Sequence, residues 1–345
     1  MKKDIKSYTL DELKVEIENI GEKSFKAKQI YSWLHKRGAE SFDEMTDISK
    51  NLRENLKKSF DINNCTIEKK LVSMYDSTVK YLFKLHDGEL IESVVMKYKY
   101  GYTICVSSQV GCKMGCNFCA SGIAGFVRNL APSEILSQVY KAQRDLDIRI
   151  SHIVMMGVGE PLDNFDNVIR FLSMISDENG LNIGMRNISL STCGVVTGIY
   201  KLLEKKLQLT LSVSLHAPND KIRSQTMPVN NKWNVDTLLK ACRDYAAQTS
   251  RRISFEYAMI DGLNDSDDCA RELAAKLKGM LCHVNLIPVN SVKEKSYVRS
   301  GDTRINSFIK ILESRGINVT VRRTLGSDIN ASCGQLRRGV NNKEN

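Results

Sequence analysis

From about residue 103 onward the chain repeats one pattern, a short and continuously apolar run followed by a longer stretch with helical spacing. Runs near 103–108, 152–156, 187–191, 209–215, 253–259, 282–287 and 317–323 read as strands. Helical patterns begin near Pro132, Asn164, Val196, Asn234, Ser266 and Arg304. A run such as Ile153-Val154-Met155-Met156 offers water no polar face, which suits a parallel strand covered on both sides. Repeated β-α units of this kind build a parallel barrel, complete or partial. The expectation is an α/β fold whose core spans residues 101–336, with six units and one extra strand.

The first of these strands runs into Cys105–Cys119, reading CVSSQVGCKMGCNFC, which holds four of the ten cysteines. Cys112, Cys116 and Cys119 form a C-x3-C-x2-C run with a glycine ahead of two of them. Short gaps and glycines let three thiolates converge on one metal centre from a single loop. A structural zinc site wants four closed positions, and an electron-transfer cluster wants four cysteines. Three ligands leave one iron of a 4Fe–4S cluster open to a small molecule. A zinc knuckle with its fourth ligand elsewhere, or three unrelated buried thiols, has the same spacing.

Composition narrows the setting. Forty-two per cent hydrophobic and 26 per cent charged residues are ordinary for a soluble chain. There is no apolar run of about eighteen residues, and MKKDIKSYTLDEL lacks the apolar core of a signal peptide. A cytoplasmic protein with no membrane segment is expected, and ten cysteines in a reducing compartment point to metal or redox chemistry. Cys65, Cys242, Cys269 and Cys282 read as core residues. The net charge of +10 suggests a polyanionic partner.

Residues 1–62 read as a small helical domain of three short helices. Thr9 to Glu12 and Ser41 to Glu44 fit capping boxes, and Ile48, Leu52, Leu56 and Phe60 mark an apolar stripe. Lysines and arginines crowd the other faces, so the module either meets RNA phosphates or presents a solvated surface. Residues 63–100 read as strands of a β-hairpin extension, turning at His86-Asp87-Gly88. Counting by two, Glu92 shares a face with Leu90, Val94, Met96 and Tyr98, a carboxylate among apolar neighbours. Read alone, it is an edge-strand glutamate reaching solvent.

Further motifs fall at or just after the ends of the predicted parallel strands, where such folds build their sites. In Gly157-Val158-Gly159-Glu160-Pro161, glycine permits close backbone approach and Glu160 can pair with an ammonium group. Cys105 and Cys333 read either as inert buried thiols or as a redox pair; Cys333 lies in a glycine-containing loop after the last strand.

CVSSQVGCKMGCNFC, MMGVGEPL (155–162), LSTCGVV (190–196), SLHAPND (214–220) and DINASCGQL (328–336) together resemble the RlmN/Cfr family of radical S-adenosylmethionine (SAM) RNA methyltransferases. The matches extend from about Glu92 to Leu336. The resemblance implies a partial (β/α)6 radical SAM barrel with a helical accessory domain that meets RNA. It implies a 4Fe–4S cluster on Cys112, Cys116 and Cys119. It implies SAM, two molecules per turnover, held by Gly159, Glu160, Ser191, Ser214, Leu215, His216 and Asn290. Cys333 would carry the methyl group, Glu92 would accept a proton, and Cys105 would release a covalent protein–RNA adduct by forming a disulfide with Cys333.

The implied reaction is C2 methylation of adenosine in 23S rRNA and beside the tRNA anticodon. The implied enzyme is a monomer with an external, flavodoxin-like electron donor. A C8-methylating, antibiotic-resistance branch of the family is the nearest alternative, and a non-enzymatic iron–sulfur or zinc RNA-binding regulator is another. Arg128, Arg223, Arg251, Arg252, Arg322 and Arg323 are candidates to frame the RNA path, and residues 337–345 read as a flexible tail.

Overall fold

Alternation of apolar strands and amphipathic helices yields one large sheet with its helices packed outside. The computed structural model of the chain describes residues 2–290, 296–332 and Gln335. At the N-terminus, β1 (Lys3–Asp4) is followed by α1 (Leu10–Asn19), α2 (Phe25–His35) and α3 (Lys50–Ser59), and β2 (Phe60–Asp61) returns to pair with β1. Thr9 and Glu12 form the expected reciprocal cap on α1. Ser41 and Glu44 do not start a comparable helix. The Glu44 carboxylate accepts the Glu40 N–H, only a 3-10 turn forms at Phe42–Glu44, and α3 begins later, capped by Ser49.

Next come three antiparallel strands, β3 (Thr66–Val72), β4 (Val79–Lys84) and β5 (Leu90–Tyr98). They lead into β6 (Gly101–Cys105), and a short antiparallel pair follows, β7 (Gln109–Gly111) and β8 (Phe126–Asn129), with the cysteine loop between its strands. The repeats then run α4 (Pro132–Leu146), β9 (Ile150–Met155), α5 (Phe165–Ile175), β10 (Ile188–Thr192), α6 (Val196–Glu204) and β11 (Thr210–Ser214). After α7 (Asp220–Thr226) and α8 (Val235–Thr249) come β12 (Ile253–Met259), α9 (Asp267–Leu277), β13 (Cys282–Pro288), α10 (Asp302–Ser314) and β14 (Asn318–Val321).

The strand order is β14-β13-β12-β11-β10-β9-β6-β5-β4-β3, parallel from β6 to β14 and antiparallel from β6 to β3. With β14 and β3 as its two edges, this is a partial barrel. The expected extension is therefore three strands that lengthen the barrel's own sheet, and β5 is an interior strand. Alternation sorts its side chains. Ile91 and Val95 enter the main core, whereas Val94 and Met96 join Cys105, Val158 and Ala331 in a smaller apolar cluster on the opposite face.

The helical module is docked firmly on α4. Lys6 is buried there and donates to Asn64 Oδ1 at 2.7 Å and Ser137 Oγ at 3.0 Å, and His35 Nδ1 meets Tyr140 Oη at 2.9 Å. Among the described residues, no helix is long and apolar enough to cross a membrane.

Candidate active site

The C-terminal ends of the parallel strands open into a cavity enclosing about 960 Å³ of empty space, its mouth included. Its walls bring together Cys112, Cys116, Cys119, Gly159, Glu160, Ser191, Ser214, His216 and Asn290. Leu215 is not among them. Where the extended chain leaves β11, Ser214 and His216 point one way and Leu215 the other, so its side chain is fully buried in the core. It serves the wall only through its backbone, donating to Glu256 O at 3.0 Å and accepting from Arg223 Nε at 3.0 Å.

The three cysteines project from the loop between β7 and β8. Cys119 Sγ accepts the Ser121 N–H at 3.4 Å and so caps a turn at Ala120–Gly122. Enclosure by the cavity walls pushes the Cys112 thiol up to about 11, with Cys119 adding to it. Burial raises Cys116 further, the two neighbouring thiols contributing. A cationic centre reverses that balance, since a coordinating thiol is deprotonated outright. A cluster takes one thiolate per iron, which suits three thiols set around a cavity wall. Among the described residues, no three cysteine, histidine or carboxylate side chains crowd closely enough to hold a lone ion.

Glu160 is buried at the turn after β9. Its Oε2 accepts the Cys193 N–H at 2.7 Å and Oε1 accepts the Leu162 N–H at 3.0 Å. Burial raises its pKa, and those N–H groups oppose the rise. Two glycines seat this turn on the segment that runs from β6 into β7: a Cβ on Gly157 would come within 2.6 Å of Val106 O, and one on Gly159 (φ +109°) within 2.8 Å of the Gln109 nitrogen. Gln109 completes the knot, accepting from Glu160 N at 2.9 Å and donating to Asn129 and Asp163, each at 2.8 Å.

His216 adopts a left-handed backbone (φ +56°), and its Nδ1 accepts the Ala258 N–H at 2.8 Å. Burial, aided by the Arg223 charge, lowers its pKa to about 3, so the ring is neutral. It meets Phe118 of the cysteine loop edge to face, with centroids 4.8 Å apart.

A second, smaller cavity, with about 550 Å³ of empty space when its open mouth is included, shares Met156, Ile287, Asn290 and Arg322 with the first. Cys105, Val94, Met96, Tyr98, Arg323 and Ser332 line it. Cys333, the next residue, lies outside the described residues, as does the expected tail at 337–345. Glu92 does not reach solvent at a sheet edge. It is buried on interior strand β5, with Oε1 2.9 Å from Lys80 Nζ. Lys80 Nζ also donates to Asn330 O at 3.1 Å, which ties the pair to the segment leading to Cys333.

Several arginines expected to meet RNA are engaged elsewhere. Arg128 forks onto Glu134 at 2.7 and 2.8 Å and also meets Asp87 at 2.7 Å. Arg223 is fully buried and donates to Leu215 O, Cys193 O, Ser214 O and Asn230 Oδ1. Arg251 bonds Leu209 O and Thr210 Oγ1, while Arg322 and Arg323 do line the cavities. Sequence reasoning overlooked Lys80 and Glu256. Glu256 lies on the cavity wall, 3.6 Å from Arg322 Nη1 and accepting from Asn285 at 2.8 Å. A carboxylate inside the apolar strand ISFEYAM was the signal, of the same kind that picked out Glu92.

Known proteins resemble this chain over nearly its whole length. The ribosomal RNA large subunit methyltransferase N-terminal domain matches residues 3–62, and the radical SAM superfamily matches residues 106–274. The chain is 54% identical over 336 residues to a probable dual-specificity RNA methyltransferase RlmN of Clostridium novyi, covering 97% of this chain and 98% of that protein. It is 55% identical over 335 residues to the protein so described from Alkaliphilus oremlandii, covering 97% of each. The crystal structure of a radical SAM methyltransferase from Sphaerobacter thermophilus superposes with a TM-score of 0.93 at 42% identity, covering 97% of this chain and 99% of that one.

Proposed function

This chain belongs to the RlmN family of radical SAM RNA methyltransferases, and from that premise we propose that it methylates C2 of adenosine in 23S rRNA and in tRNA beside the anticodon. The observation that carries the reading is the adjacency of two cavities. One gathers three thiols, a buried carboxylate and a neutral histidine; the other holds Cys105 beside Ser332, and they share a wall.

The first cavity suits a 4Fe–4S cluster on Cys112, Cys116 and Cys119, with SAM against Gly159, Glu160, Ser191, Ser214, His216 and Asn290. Together the two cofactors supply a methyl group from one SAM and a 5′-deoxyadenosyl radical from a second. C2 of adenine has no nucleophilic lone pair, so the protein needs a carrier for the methyl carbon, and Cys333 is assigned that role. The methyl carbon on Cys333 would give up one hydrogen atom to that radical and then bond to C2, so that it bridges Cys333 sulfur and the base. Glu92 takes the C2 proton, and Lys80 balances the carboxylate's charge within the sheet. One surplus electron of the adduct would pass back to the oxidised cluster. Cys105 thiolate then attacks Cys333 sulfur, and the sulfur–carbon bond breaks with its electron pair left on the methylene carbon. That carbon takes up one proton, leaving a Cys105–Cys333 disulfide and the methylated base. That step requires Cα atoms about 4.4–6.8 Å apart.

The helical module, residues 1–62, is assigned an RNA-gripping role. The enzyme acts as a monomer in the cytoplasm with a flavodoxin-like electron donor. The test is anaerobic reaction of iron-loaded protein with methyl-labelled SAM and protein-free 23S RNA, followed by nucleoside mass spectrometry. Labelled 2-methyladenosine from wild type, none from Cys333→Ala and a trapped protein–RNA adduct from Cys105→Ala are expected. Label at C8 overturns the C2 assignment, and no label on either rRNA or tRNA overturns the function.

A further inference from the structure

Beyond the two cavities, the hairpin joining β5 to β6 carries a feature that the fold itself does not use. Its sequence, Lys97-Tyr98-Lys99-Tyr100-Gly101-Tyr102, alternates lysine and tyrosine before the glycine. Tyr98 pairs with Gly101 across the ladder, so Lys99 and Tyr100 form the tip. Tyr98 and Tyr100 are stacked, with ring centroids 5.1 Å apart and planes 4° from parallel. His152 buttresses Tyr100 edge to face at 4.7 Å. Despite these contacts Tyr100 is 61% exposed.

Two things make this more than a solvated turn. Tyr98 lines the same cavity as Cys105, so the stack runs from the cavity wall outward to the tip. Its surroundings are also cationic. Lys97 and Lys99 are exposed on the hairpin, Lys97 Nζ lies 5.8 Å from the Tyr102 ring centroid, and Arg322 and Arg323 line the same cavity as Tyr98. An exposed aromatic ring held rigid by a second ring, with cations flanking it, is how proteins hold an unpaired base and its phosphates.

We propose that the Tyr98–Tyr100 stack is a platform for an unpaired RNA base adjoining the target adenosine, with Lys97 and Lys99 meeting its phosphates. The inference rests on the RNA-methylating reading above. A nucleotide taken out of a folded RNA exposes its neighbour, and the platform captures that neighbour at the mouth of the cavity. Stacking is tolerant of base identity, so it serves two different RNAs equally.

The test uses full-length, iron-loaded enzyme and an RNA substrate carrying 2-aminopurine beside the target adenosine. Fluorescence quenching reports stacking, and methylation kinetics are followed alongside with Tyr100→Phe, Tyr100→Leu and Tyr100→Ala. Iron content and thermal midpoint check folding. Tyr100→Phe keeps the quenching and the wild-type KM. Tyr100→Leu and Tyr100→Ala lose the quenching and raise KM about tenfold or more with kcat held, the size expected for one lost base–aromatic stack. Lys97→Gln with Lys99→Gln flattens the salt dependence of binding by a slope of about 1.4.

Wild-type quenching and KM in Tyr100→Leu overturn the platform while leaving the methyltransferase reading intact. So does Tyr100→Phe behaving like Tyr100→Ala. Failure of wild type to bind or methylate RNA overturns both, which separates the two failures.

Discussion

Lys80 and Glu92 form a buried ion pair across neighbouring strands, Nζ to Oε1 at 2.9 Å, with both side chains about nine-tenths enclosed. Leu82 is the ladder partner of Glu92, so Lys80 approaches it diagonally, two residues along β4. Removing one member leaves the other charge uncompensated in the sheet. Lys80→Met should cost about 3–5 kcal/mol by denaturant unfolding, and Lys80→Met with Glu92→Met together should cost less than Lys80→Met alone. Glu92→Gln should retain SAM cleavage while RNA product falls at least about 10²-fold, a loss read by mass spectrometry. A double variant no more stable than Lys80→Met alone would contradict the pairing.

Arg223 is predicted to be structural. From α7 its guanidinium holds the ends of β10 and β11 through Cys193 O and Ser214 O and reaches Asn230 in the turn that follows α7. A lysine has no planar fork for these acceptors. Arg223→Lys should therefore lose about 3 kcal/mol of stability and weaken SAM binding, while the salt dependence of RNA binding stays unchanged. A changed salt slope with normal stability would return Arg223 to the RNA path.

Glu160→Gln keeps the shape of the turn but points an amide N–H at either Cys193 N or Leu162 N. One donor then faces another, at a cost of about 1–3 kcal/mol. With the negative charge also gone, SAM affinity measured by equilibrium binding should fall about tenfold or more. Unaltered affinity would show that the carboxylate serves the turn alone.

The docking of the helical module has a pH signature. Burial lowers the Lys6 pKa from its ordinary 10.5 to about 8. Between those values the unfolded chain binds more protons than the folded one, so this group makes stability rise with pH from about 8 to 10.5 and adds no slope below 8. Cys65, raised to about 12 by burial, acts in the opposite sense above 9. The informative quantity is thus the difference between wild type and Lys6→Met. That difference in thermal midpoint should grow across the window, and a flat difference would mean that Lys6 titrates normally.

Much of this was legible beforehand because the main signals are periodic. The apolar runs located all seven parallel strands found among the described residues, and counting by two put Glu92 on the face shared by Val94 and Met96. Periodicity names a face but not the neighbour across it, which is why Lys80 went unseen on an adjacent strand. Arg223 read as a candidate for the RNA path because nothing local in APNDKIRSQT (217–226) reveals that four carbonyl and amide oxygens converge on it. Ser107 was likewise silent. Its hydroxyl donates to Glu92 O at 2.6 Å and accepts from Val158 N at 2.9 Å, a link between three segments far apart in sequence.

The pairing of Val94 with Cys105 acts as a ruler. Glu92 lies one diagonal step from Cys105 along this ladder, a separation of about 7–8 Å that comes from the sheet repeat and not from any loop. A single residue inserted into either strand between them would turn one of the pair to the opposite face. The hairpin can therefore lengthen or shorten only two residues at a time if carboxylate and thiol are to stay together. Its stem is thus closed to length variation of odd count.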